Sequence, residues 1–192
     1  KIDRKIIVTS NNINFSEYKD ITEIVIQNKQ LGTGHAVNTT YEKLKHFKGV
    51  ILVCFADTPF VSKKTINKLI NSIKRKNHIS ITGFTKFEKN SYGKIVLSKD
   101  KSPIKIIEDK DSKINIDLCN GGIMAFDSKI IFNLLRKIKP NKLTKEYFLT
   151  EVIELAFEAN LNIDLIKVDE KEILGINSRK DLMAAERFAQ NK

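Results

Sequence analysis

The chain alternates between two hydrophobic rhythms. In one, apolar residues follow each other without a break. Ile6-Ile7-Val8, Ile24-Val25-Ile26 and the run from Val50 to Phe55 are of this kind. Such runs suit strands covered on both faces by other elements. In the other rhythm, apolar residues return every three or four positions. Ile66, Leu69, Ile70 and Ile73 do so, which predicts an amphipathic helix over 63–76 with Ser62 as its N-cap. Ala36, Val37, Tyr41 and Leu44 predict a helix from about Gly34 to Lys45. Leu149, Val152, Ile153 and Ala156 predict another from about Glu146 to Asn160. A shorter helix over 128–138 stops near Pro140, and a last one over 179–190 follows Ser178-Arg179-Lys180-Asp181, a capping-box pattern.

Between these lie further strands at Ile79–Phe84, Gly122–Phe126 and Ile163–Val168. The stretch from Tyr92 to Asp111 differs. Two strand-like runs flank a polar turn at Ser102-Pro103, which reads as a β insertion over one end of the sheet. Strands alternating with helices predict an α/β fold with a mainly parallel sheet.

Composition narrows the class. The 192 residues are 41% hydrophobic and 30% charged, as expected of about one globular domain with a real core. No apolar run reaches the roughly 18–20 residues needed to cross a membrane. The start, Lys1-Ile2-Asp3-Arg4, has no initiator Met and no apolar signal region, so the chain reads as part of something that is longer at its N-terminus. Cys54 and Cys119 stand in no disulfide or zinc spacing. Cys54 is expected to be a small buried hydrophobe, and a reducing, cytoplasmic setting is expected. The net charge of +11 invites a nucleic-acid reading. The lysines are spread along the chain without interleaved aromatic residues, so a solvated basic surface that attracts phosphorylated substrates is favoured, with no nucleic-acid partner.

Candidate chemistry gathers where predicted strands give way to loops. In an open α/β sheet, ligands bind beyond the carboxyl ends of the strands. Gln27, Asp57 and Asn177 each stand at such a place. Gln27 opens the string Gln27-Asn28-Lys29-Gln30-Leu31-Gly32-Thr33-Gly34-His35. Its amides and glycines suit the polar edge of a planar base and close backbone approach. Asp57 follows a long apolar run, so it either caps the next loop or holds a hard cation such as Mg²⁺. Asn177, taken alone, reads as a turn residue, and His35 as a helix residue rather than a base.

These motifs, taken in order, resemble the uridylyltransferase domain of bacterial UDP-N-acetylglucosamine pyrophosphorylase, a family usually fused to a glucosamine-1-phosphate acetyltransferase. The resemblance runs from near Ile6 to the C-terminus. It implies a Rossmann-like nucleotide-diphospho-sugar transferase fold over 1–178, N-terminally incomplete, with 179–192 starting a linker helix and no acetyltransferase β-helix present. By resemblance, Gln27, Gln30, Gly32 and Thr33 contact uracil. Phe55-Ala56-Asp57 stands for the family's Tyr-Gly-Asp, with Asp57 on Mg²⁺. Tyr92-Gly93-Lys94 brings Gly93 to the sugar, and Glu108, in Ile106-Ile107-Glu108-Asp109-Lys110-Asp111, meets sugar hydroxyls. Asn120-Gly121-Gly122 offers Asn120 to the acetylated sugar. Lys145-Glu146-Tyr147-Phe148-Leu149-Thr150-Glu151 matches a sugar-side loop, and Gly175-Ile176-Asn177-Ser178-Arg179 supplies Asn177 as the second metal ligand.

The implied reaction joins UTP and N-acetylglucosamine 1-phosphate into UDP-N-acetylglucosamine and pyrophosphate, feeding cell-wall peptidoglycan and lipopolysaccharide synthesis. Catalysis is expected from Asp57 and Asn177 through Mg²⁺, with no nucleophilic side chain. Departures from the family are Phe55 for Tyr, Ala56 and Lys145 for Gly, and Gly121 for a hydroxyl residue. The family's opening Leu-x-Ala-Gly-x-Gly-Thr-x-Met is absent, so this chain alone is expected to be weak or inactive. A homotrimer is expected only if an acetyltransferase domain follows. Two other readings stay open: a nucleotidyltransferase of the same fold acting on another sugar phosphate or small alcohol, and a non-catalytic basic binding module.

Overall fold

The computed structural model describes residues 2–10, 18, 20–87, 90–108, 115–176 and 178–190. Its elements run, in order, β1 (Ile6–Thr9), β2 (Glu23–Ile26), α1 (Thr33–Asn38), α2 (Tyr41–Leu44), β3 (Val50–Val53), α3 (Lys63–Lys74), β4 (Ile79–Thr85), β5 (Lys94–Leu97), β6 (Pro103–Ile107), β7 (Leu118–Asp127), α4 (Ile131–Leu135), α5 (Glu151–Glu158), β8 (Ile163–Lys167) and α6 (Arg179–Gln190). A 3-10 turn at Glu170–Ile173 precedes α6.

The long strand β7 organises the sheet. One edge pairs antiparallel with β4, which pairs parallel with β8. The other edge is shared, with β5 at the start of β7 and β3 at its end. β5 and β6 form the expected hairpin. By these pairings β3, β4, β5 and β8 run one way and β6 and β7 the other, so the sheet is mostly parallel in direction, although its pairs across β7 are antiparallel. β1 and β2 form a separate parallel pair. The result is the α/β architecture expected from the alternation of strands and helices.

Alternating residues of β4 and β7 feed two apolar layers. Ile79, Ile81, Met124 and Phe126 pack with Ile131, Phe132, Val152 and Ile153 of α4 and α5. On the opposite face Phe84, Ile123 and Ala125 meet Leu69 and Ile73 of α3. Residues 79–84 of β4 are accordingly all buried, the polar Ser80 and Thr82 among them. α3 has the expected cap, with the Ser62 side chain accepting from the Thr65 N–H at 3.1 Å. At α6 the Ser178 hydroxyl accepts from the Asp181 N–H at 3.2 Å.

Three readings need correction. β3 is not covered on both faces: only Ile51 of its four residues is buried. Its one partner is β7, and its other edge meets no strand among the described residues. Cys54, just past the end of β3, is exposed rather than a buried hydrophobe. The helix expected from Glu146 begins only at Glu151, because the backbone of 146–149 is committed elsewhere, as described next.

Candidate functional site

The turn after β2 is stitched to the segment before α5. Gly34 N–H donates to the Tyr147 carbonyl at 2.8 Å, Tyr147 N–H donates to the Leu31 carbonyl at 2.8 Å, and Leu149 N–H donates to the Thr33 hydroxyl at 2.9 Å. The glycines are required by this contact. A Cβ on Gly32, whose φ is +98°, would lie 2.7 Å from the Tyr147 carbonyl oxygen. Thr33 keeps its hydroxyl hydrogen to donate. Within the turn, Gln27 Nε2 donates to the Gly32 carbonyl at 3.1 Å and lies 2.9 Å from His35 Nδ1. Gln30 is exposed on the same turn.

A second group forms around a bulge in β7. The β4–β7 register jumps from Ile81 opposite Met124 to Gly83 opposite Asn120, so Gly121 and Gly122 are extra. Asn120 N–H donates to the Gly93 carbonyl at 2.8 Å, and its side-chain oxygen accepts from Gly122 N–H at 3.0 Å. A Cβ on Gly93 would come within 3.0 Å of the Glu108 carboxylate. The structure thus brings Gly93, Glu108 and Asn120 together. Gly121 departs from the family's hydroxyl residue for a visible reason. A Cβ there would lie 2.5 Å from Thr82 Oγ1. That hydroxyl donates to the Ile123 carbonyl at 3.0 Å and accepts from its N–H at 3.2 Å, so Thr82 supplies a hydroxyl beside position 121.

Asp57 lies past the carboxyl end of β3. Its Oδ1 is buried and has no hydrogen-bond partner among the described residues. Its carbonyl accepts from Ile176 N–H at 2.9 Å, which ties the loop preceding α6 to this strand end. Asn177 lies outside the described residues, as do Asp109, Lys110 and Asp111. Among the described residues, no three His, Cys, Asp or Glu side chains gather as a metal cluster. A carboxylate oxygen shielded from water without a donor nonetheless fits a hard cation that takes few protein ligands.

Two of the groups touch, and the third lies near them along the chain. Tyr147 leads through the chain to Glu151, whose carboxyl is pushed above its ordinary value of 4.5 by burial and by the carboxylates of Glu154 and Glu108. Glu108 meets Gly93, Gly93 meets Asn120, and Gly122 packs on Phe55, since a Cβ there would lie 2.9 Å from the Phe55 ring. Two residues later stands Asp57. A run of neighbouring groups therefore leads from Glu108 through Gly93 and Asn120 to the end of β3, with the Gln27 turn braced on the segment that enters α5. It can offer amides to a base, an amide and a carboxylate to hydroxyls, and a shielded anionic oxygen to a cation. Sequence reasoning placed Glu151 in a sugar-side motif but missed the Tyr147 backbone as the brace of the Gln27 turn. Nothing in a sequence marks a carbonyl that will be used. A solvent-open cavity of about 450 Å³, lined by Lys45, His46, Lys48, Lys129 and Arg136 among others, lies elsewhere, where Gly49 meets Ser128 at the start of β3.

The family described as Nucleotidyl transferase matches residues 6–171. Similar chains include the Bifunctional protein GlmU of Ruegeria sp. (strain TM1040), 38% identical over 170 residues, which are 87% of this chain and 37% of that protein. The Bifunctional protein GlmU of Clostridium botulinum (strain Eklund 17B / Type B) is 36% identical over 181 residues, 92% of this chain and 39% of that protein. Its counterpart in Acetivibrio thermocellus is 37% identical over 171 residues, 86% of this chain and 37% of that protein. The chain spans less than two fifths of the length of these curated relatives.

Proposed function

The chain belongs to the nucleotidyl transferase family, and from that premise we propose that it carries a uridylyl-transfer site joining UTP to N-acetylglucosamine 1-phosphate. A phosphate oxygen of the sugar phosphate attacks the α-phosphorus of UTP. The bond from that phosphorus to the bridging oxygen breaks, and pyrophosphate leaves with the electron pair. UDP-N-acetylglucosamine, a precursor for cell-wall and lipopolysaccharide synthesis in the cytoplasm, is the product. The observation that carries this reading is the grouping of Gly93, Glu108 and Asn120 beside the strand end that bears the shielded Asp57 oxygen, because sugar and metal functions need adjacent groups of these kinds.

Gln27, Gln30, Gly32 and Thr33 face the base. Asn120 and Glu108 hold the sugar, with Gly93 giving close approach. Asp57 would hold Mg²⁺, with Asn177 as its second protein ligand. When bound, the ion neutralises charge developing on the phosphates and leaving group. The chain's own share is positioning: the braced turn and the bulge fix the two ends of a long substrate so that the reacting phosphates meet near Asp57. Support for UTP and N-acetylglucosamine 1-phosphate comes from the similarity to Bifunctional protein GlmU and from the matching motif order.

The test is calorimetric titration of UDP-N-acetylglucosamine with and without Mg²⁺, beside Asp57→Ala. Mg²⁺-aided binding that disappears in the variant is expected. Binding that is indifferent to both Mg²⁺ and Asp57 would remove the metal from this site. A competition panel of UTP, CTP, ATP and GTP decides the base, with UTP expected to win.

A further inference from the structure

The Gln27 amide has its two ends unequally employed. Its nitrogen carries two hydrogens, and two acceptors stand beside it: the Gly32 carbonyl at 3.1 Å and His35 Nδ1 at 2.9 Å. Its carbonyl oxygen has no partner among the described residues. Turning the amide over would set that oxygen against the Gly32 carbonyl, and it would keep a bond to His35 only with the imidazole proton moved to Nδ1. For Nδ1 to accept, His35 must be neutral with its proton on Nε2. The backbone on both sides is held. Gln27 N–H donates to the Thr9 carbonyl at 2.7 Å, and His35 follows Gly34, which is clamped on Tyr147. The geometry therefore presents a fixed acceptor, with the donor end turned inward.

Fixing that orientation decides which pyrimidine fits. Uracil carries a hydrogen on N3 and offers it as a donor. Cytosine carries a lone pair there. A carbonyl held outward attracts the first and repels the second. We propose that His35 is the positioning residue for base selectivity: it locks the Gln27 amide so that Oε1 faces the base and accepts from N3–H of a uridine nucleotide. This rests on the reading that Gln27 meets the base. His35 itself touches no reacting group.

The experiment compares the Kd of UDP with that of CDP for the wild-type chain, His35→Leu and His35→Asn, with circular dichroism to check folding. The oxygen of Asn stands at the position of imidazole Nδ1 and can accept the same bond. A misdirected amide forfeits a hydrogen bond and sets two lone pairs together, so wild type should prefer UDP by about tenfold or more. His35→Leu should bring the ratio within about threefold, and His35→Asn should restore most of it. A folded His35→Leu that keeps the wild-type ratio overturns the role of His35 and leaves the proposed function standing. A wild type with no preference overturns the uridine reading, and this inference falls with it. The ¹⁵N spectrum of the imidazole gives a readout that needs no nucleotide. An unprotonated Nδ1 at neutral pH is expected, and a proton on Nδ1 would overturn the lock directly.

Discussion

At the scale of single residues, two positions show how local chemistry was exchanged rather than lost. Gly121 stands where the resembling family carries a hydroxyl, and Thr82 Oγ1 fills the space a Cβ there would need. Gly121→Ser should therefore overpack the bulge and cost about 1–3 kcal/mol. Adding Thr82→Ala should recover part of that loss, because the new hydroxyl can serve Ile123. Thermal melts of the two singles and the double make the cycle, and simple additivity would count against the exchange. Asp57 is the converse case. A buried oxygen without a donor is a cost to the fold, so Asp57→Ala should raise stability by about 1 kcal/mol in the presence of a chelator. The same variant should lose any rise in Tm on adding Mg²⁺ with UDP-N-acetylglucosamine. A variant less stable than wild type under chelation would mean that Oδ1 is better satisfied than it looks.

At the scale of elements, carboxylates hold or strain the joints. Glu172, in the 3-10 turn, accepts from the Ser62 N–H at 2.9 Å and so reaches the start of α3. Burial alone would push its carboxyl up, but bonds from Ser62 and Thr65 outweigh it and hold it below the ordinary value of 4.5. A lowered folded value means stability that is present above the unfolded value and lost as pH falls through the folded one. Glu172→Gln should thus lower Tm at pH 7 and make progressively less difference as pH drops below 4.5. Glu151 has the opposite sign. Its raised value means that the fold is penalised once pH rises past it, so Glu151→Gln should raise Tm at pH 7 and change little below 4.5. Melting curves across pH 3–8 (about that range) check both, and matching pH trends in the two variants would contradict the assigned causes.

At the scale of the whole molecule, the site depends on strand ends that are distant in sequence. Kinship and motif order were legible in the chain itself, as were the helix 179–190 and the Ser62 cap. The apolar rhythm also placed strands at β4 and at the core end of β7, since period and run length follow directly from which faces an element must hide. It erred at β3, where an apolar run meets only one neighbouring strand, and at Cys54, which lies past the last paired residue. Burial there depends on what packs alongside, and no local pattern encodes that. The candidate residues Gln27, Gly93, Glu108 and Asn120 could be named one by one from their motifs. That Asn120 bonds Gly93, that Thr82 stands in for a hydroxyl at 121, that Tyr147 braces the Gln27 turn and that His35 employs the donor end of Gln27 were decided only by the tertiary fold. Each is a contact through space, several made by backbone atoms that every residue possesses, and a sequence distinguishes residues only by their side chains.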